Sequence, residues 1–128
     1  MSLRTPLGKV MGLGSAKEGT GHWWMQRVTA IALIGLGLWF MISIAAAGDL
    51  GYGSTIAWLA RPVNAVLLSS FVLTLLYHSK LGVQVVIEDY VSSPVLKVGG
   101  LLLSVFVHLL LAMAGVISIL RINAGGLS

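Results

Sequence analysis

The sequence predicts an all-α membrane protein of three transmembrane helices, with its N-terminus cytoplasmic. Three observations carry that expectation. First, 57% of the 128 residues are hydrophobic and only 9% are charged, whereas a soluble domain carries about a quarter charged residues. Too little charge is present to cover a water-facing surface, so lipid is the solvent for most of the chain. Second, three apolar runs reach the roughly 20 residues that a ~30 Å hydrocarbon layer requires. Third, the cationic residues are distributed unevenly between the two ends of those runs.

Residues 1–21, MSLRTPLGKVMGLGSAKEGTG, are polar, glycine-rich and basic. They contain no continuous apolar core of the kind a signal peptide carries, and they read as a cytoplasmic arm outside the bilayer. Residues 22–128 form the membrane domain, with spans at about 26–47, 62–86 and 94–120.

The first span contains VTAIALIGLGLWFMISIAAA, Val28–Ala47, which carries no charge. GDLGYGST follows and reads as a short turn-forming loop. Pro62 suits the first turn of the second span, where a missing N–H is no loss, and Pro94 suits the start of the third. Ser93 stands in the N-cap position before it. In lipid each backbone group must be satisfied within its own segment, so apolar runs of this length are helices.

Orientation follows from the Lys and Arg residues. Arg4, Lys9, Lys17, Arg27, Lys80 and Lys97 fall on the side of the N-terminus, and Arg61 and Arg121 on the other. Six against two puts the N-terminus inside. The mean hydropathy is +0.96 and the isoelectric point near 9.9, but these cations form no stripe with aromatic platforms, so no nucleic acid is expected as a partner. With no cysteine, the chain itself offers no disulfide, thiolate or iron–sulfur ligand. Three helices with little polar interior make a small bundle that calls for partner chains.

Ser70, Thr74, His78 and Gly82 recur every four residues in the second span, so they share one stripe. Such a stripe faces protein or a cofactor, since lipid gives no reason for small and hydroxylated residues there. His78 is then either a hydrogen-bonded seam residue or a ligand or proton carrier. Gly82, one turn on, leaves room for a flat ring. If the helix reaches residue 89, eleven steps of about 100° return Asp89 to within about 20° of His78, ~16 Å further along. Tyr90 follows it, as an interfacial anchor or a hydrogen-bond donor. The third span has its own stripe, Gly100, Ser104, His108 and Ala112, in which His108 is a seam histidine or a second haem ligand.

GTGHWWMQRVTAIAL, Gly19–Leu33, and YHSKLGVQVVIEDYV, Tyr77–Val91, resemble the two hallmark regions of the succinate dehydrogenase hydrophobic membrane anchor subunits. These are the smaller of the two anchor chains of respiratory complex II. The His-x3-Gly-x6-Asp-Tyr pattern at the end of the second span carries most of the resemblance, which covers the whole chain.

The resemblance implies packing with a second three-helix anchor chain, a cytochrome b556-type subunit, around a shared b-type haem. It implies His78 as this chain's ligand to the haem iron, with a hydroxyl such as Thr74 or a carbonyl setting its tautomer. Arg27 would pair with a haem propionate, with His22 nearby. Tyr90 and Asp89 would form an edge of a ubiquinone site completed by the iron–sulfur subunit, which itself binds the flavoprotein subunit. Succinate chemistry would belong to those soluble subunits. The location expected is a bacterial inner membrane, with the mitochondrial inner membrane as the alternative, since residues 1–21 show no basic, serine-rich amphipathic presequence. Two other readings compete: a self-contained cytochrome with His78 and His108 on one haem, and an anchor without cofactor.

Overall fold

The computed structural model describes residues 15–125, and the side chains of residues 19–125. Arg4 and Lys9 lie outside the described residues, as does the side chain of Lys17. Four helices follow one another: α1, Ser15–Ala46; α2, Tyr52–Leu59; α3, Pro62–Tyr90; and α4, Pro94–Asn123. Three of them are long and apolar enough to cross a membrane, over Gly19–Ala46, Pro62–Tyr90 and Pro94–Asn123. At 29 and 30 residues, α3 and α4 are each ~45 Å long. That exceeds the hydrocarbon layer, so their ends reach the interfaces.

Pro62 and Pro94 both open their helices, with Arg61 and Ser93 as N-caps in extended conformation. Ser93 caps by position alone, because its side chain makes no capping hydrogen bond. Two boundaries differ from the sequence-based expectation. Helix α1 begins at Ser15, so residues 15–21 of the expected arm are helical. Helix α3 runs on to Tyr90, past the expected end near Val86.

GDLGYGST is also more ordered than a turn. Gly48 takes a φ of 66° just past α1, a left-handed conformation that glycine adopts without strain. Asp49 then accepts a hydrogen bond from the Gly51 N–H at 2.9 Å and another from the Ser54 hydroxyl. These bonds hold its carboxyl below the usual carboxylate range and start α2 at Tyr52. At the other end of α2, Asn64 donates to the Trp58 carbonyl at 2.9 Å. Asn123 donates to the Leu59 and Ala60 carbonyls, both at 3.0 Å. Carbonyls that the helix leaves open are thus satisfied from α3 and α4.

Leu59, Ala65 and Ile119 form the core of this end, with Trp58, Leu68, Val72 and Ile122 against them. Trp39 stacks on Trp58, ring centroids 5.6 Å apart, and Phe40 meets Phe71 at 5.5 Å. Both α1 and α4 pack on α3 and make no backbone contact with each other. The result is an open row with α3 in the middle, tight near α2 and looser toward Tyr90. Most large apolar side chains of the spans are exposed, as lipid or a partner chain would require.

Candidate functional site

His78 lies ~24 Å along α3 from Pro62, near the middle of that helix. It faces α1, where His22, Gln26 and Thr29, spaced four and three apart, share one side. Thr29 is 7% exposed, the one buried polar residue among those described. Its hydroxyl donates to the Met25 carbonyl at 2.7 Å, with the Gln26 carbonyl at 3.2 Å. The same oxygen lies 2.9 Å from His78 Nδ1. Since the hydroxyl hydrogen is already used, Nδ1 carries the proton and donates. His78 Nε2 keeps its lone pair, approached by the Gln26 amide nitrogen at 3.4 Å. The partner that sets the tautomer is therefore Thr29 across the seam, in place of Thr74 on the histidine's own helix.

Two polar atoms beside this imidazole are buried without a hydrogen-bond partner, His22 Nε2 and Gln26 Oε1. A third, Ser69 Oγ, lies further back along α3. A Cβ built on Gly82 would meet nothing within 4 Å, so the stripe next to His78 is open. An imidazole nitrogen with one long contact, an open position at Gly82 and unpaired polar atoms are compatible with a flat, iron-bearing ring. Haem iron takes a neutral imidazole whose other nitrogen is hydrogen-bonded.

Arg27 turns to the neighbouring face of α1, where its guanidinium lies 5.4 Å from the centre of the Trp23 ring. It is exposed and free to reach an anion at the mouth of the site. His22 is brought to the His78 side, and Arg27 stands next to Gln26 rather than against His78.

Because α3 is helical through residue 90, Asp89 does share the angular position of His78. Asp89 is exposed and Tyr90 is 83% exposed, so both are available beyond the membrane-embedded site. Glu88 is tied locally: its carboxylate accepts from the Gln84 amide at 2.9 Å, and its carbonyl from the Lys97 ammonium at 2.8 Å.

His108 has a different environment. Its Nδ1 donates to the Ser104 carbonyl at 2.7 Å, and its Nε2 accepts from the Ser79 hydroxyl at 3.2 Å. Both ring nitrogens are engaged in the α3–α4 seam, as the seam reading expects. The structure does not bring His78 and His108 to a common site, since one turns to α1 and the other to α4's contact with α3. Among the described residues no cluster of three or more metal-ligating side chains occurs.

Thr29 and Gln26 went unassigned in the sequence. The available signal was their spacing from His22, four and seven residues on, which keeps all three on one helix face; the antiparallel crossing that sets them against His78 is a tertiary fact.

Fold and site together define a small three-span helical membrane protein, with a histidine prepared between two of its spans. The chain belongs to the succinate dehydrogenase/fumarate reductase transmembrane subunit family, whose model matches residues 1–119. It is 44% identical over 70% of its length to a succinate dehydrogenase hydrophobic membrane anchor subunit of Rickettsia bellii, covering 71% of that protein. It is 33% identical over 96% of its length to the protein of that name from Paracoccus denitrificans, covering 95% of it. A succinate dehydrogenase membrane anchor subunit from Reclinomonas americana is 31% identical over 65% of the chain and 72% of the relative. No solved structure matches the chain significantly.

Proposed function

We propose that the chain anchors a succinate:ubiquinone oxidoreductase in a bacterial inner membrane. It holds the flavoprotein and iron–sulfur subunits at the face reached by Tyr90, which is the cytoplasmic face. Relatives from Rickettsia and Paracoccus, named as anchor subunits, support the complex and the location. The observation that carries the site assignment is His78, with Nδ1 held by Thr29 at 2.9 Å and Nε2 approached only by the Gln26 amide at 3.4 Å.

In this reading His78 Nε2 is one of two ligands to a b-type haem, and the second comes from a histidine of the cytochrome b556-type partner. When bound there, a haem would supply a one-electron store. Gly82 keeps the strip beside His78 open. Arg27 pairs with a propionate, and His22 adds a polar contact at the same mouth.

At the end of α3, Tyr90 donates its phenol hydrogen to a carbonyl oxygen of ubiquinone. Asp89 orients that phenol and takes up protons from water for the two that the reduced quinone needs. The remainder of the pocket belongs to the partner chain and the iron–sulfur subunit. The chain itself performs no succinate chemistry.

Purification of the assembly through a tag on this chain, in mild detergent, tests the reading. Co-purification of three further subunits with succinate–quinone reductase activity is expected. Recovery of this chain alone, from membranes that retain the activity, would refute it.

A further inference from the structure

His78 is held by a relay rather than by one contact. The Thr29 hydroxyl gives its hydrogen to Met25 at 2.7 Å and receives one from His78 Nδ1 at 2.9 Å. On the other side of the ring, the Gln26 amide approaches Nε2 at 3.4 Å as a donor. The two contacts demand the same tautomer: a proton on Nδ1 and a lone pair on Nε2. Thr29 is buried, so water does not compete for its oxygen. The Gln26 contact is long for a hydrogen bond, and the amide yields Nε2 at little cost. One contact fixes the ring and the other is replaceable.

We propose that Thr29 is the positioning residue of the His78 site. It selects the tautomer, sets the plane of the ring and, through the chain to the Met25 carbonyl, makes Nε2 a stronger electron donor. A hydrogen bond accepted from the far nitrogen of a ligating imidazole increases ligand basicity. Greater basicity favours the ferric over the ferrous state, so the relay lowers the potential of the iron that His78 ligates. This inference rests on the reading of His78 as a haem ligand.

The test uses the whole detergent-extracted complex and three variants. Thr29→Val keeps the side-chain shape and removes the acceptor; Thr29→Ser keeps the acceptor and removes the methyl; Thr29→Ala, which a helix accepts readily, serves if the valine variant does not assemble. Haem midpoint potential, the low-spin electron paramagnetic resonance g-values and haem per complex are read for each. With valine or alanine the potential rises, the g-values shift and haem retention falls about tenfold. With serine, potential and g-values stay at the wild-type values.

If Thr29→Val and Thr29→Ala hold haem with unchanged potential and g-values, Thr29 only bonds its own helix and the proposal fails. It also fails if Thr29→Ser shifts the potential as far as Thr29→Val. His78→Ala is the control: unchanged haem there overturns the ligand reading itself, whatever Thr29 does.

Discussion

Ser79 of α3 and His108 of α4 stand 3.2 Å apart, hydroxyl to imidazole, while the residue next to Ser79 turns its imidazole to α1. Adjacent positions on one helix thus serve two histidines in different surroundings, His108 in the α3–α4 seam and His78 against α1. The difference lies in the free valence. His108 has both nitrogens used by Ser104 and Ser79, whereas His78 has one nitrogen fixed and the other only loosely approached.

His108→Ala is therefore expected to leave haem per complex unchanged and to weaken the α3–α4 seam by about 1 kcal/mol, in the range of hydrogen bonds between membrane helices. A double-mutant cycle with Ser79→Ala, read by unfolding in detergent, measures the pair. Loss of haem in His108→Ala would revive a haem held within this single chain.

Two glycines separate packing from site. A Cβ at Gly115 would come within 3.1 Å of Val72 Cγ1, whereas one at Gly82 would meet nothing. Gly115→Ala should cost about 1 kcal/mol through overpacking with haem content kept. Gly82→Leu should leave the fold of this chain intact and lower haem content at least severalfold. The pair is checked by comparing thermal stability with haem per complex, and equal behaviour of the two variants would argue against an open strip at Gly82.

Tyr90 is one of the most exposed aromatic residues among those described, at the end of the helix that carries His78 ~18 Å away. Tyr90→Phe removes a single hydroxyl. Quinone reduction is expected to fall about tenfold or more, the scale of losing a hydrogen bond to the reacting group. Succinate oxidation with a soluble artificial acceptor should persist. Equal losses in both assays would remove Tyr90 from the quinone site.

Arg27 is held over Trp23 in this chain, a cation–π contact worth ~0.5–1 kcal/mol where exposed. Pairing with a carboxylate would draw the guanidinium from it or use its free edge. Arg27→Leu should move the haem potential downward, because a cation near the iron stabilises the reduced, less positive state. A redox titration superimposable on wild type would contradict propionate pairing.

Much of the architecture was legible because the solvent dictates it. Span length follows from hydrocarbon thickness, and Pro62 and Pro94 mark helix starts by the chemistry of a missing N–H. The Ser104–His108 spacing left a seam and a second haem ligand as the two readings on α4, and the contacts to Ser104 and Ser79 needed the folded chain. Helix α2 was not legible, because glycines at 48, 51 and 53 argue for a turn, and Asp49's role as acceptor for Gly51 and Ser54 needs the folded loop. Nor was the Thr29–His78 bond: Thr74 shares a helix face with His78 and was the nearer candidate, whereas Thr29 depends on how α1 crosses α3. In the proposed reading the second ligand and most of the quinone pocket would lie on other chains, outside what this sequence can encode.

His78 is proposed to bind haem iron through Nε2. The most direct measurement is the dithionite-reduced minus oxidised optical spectrum of the purified complex, wild type against His78→Ala, with haem quantified per complex. A low-spin bis-histidine b-type spectrum is expected in the wild type, and its loss, or conversion to a high-spin form, in the variant. An assembled His78→Ala complex with the same low-spin spectrum and the same haem content would contradict it.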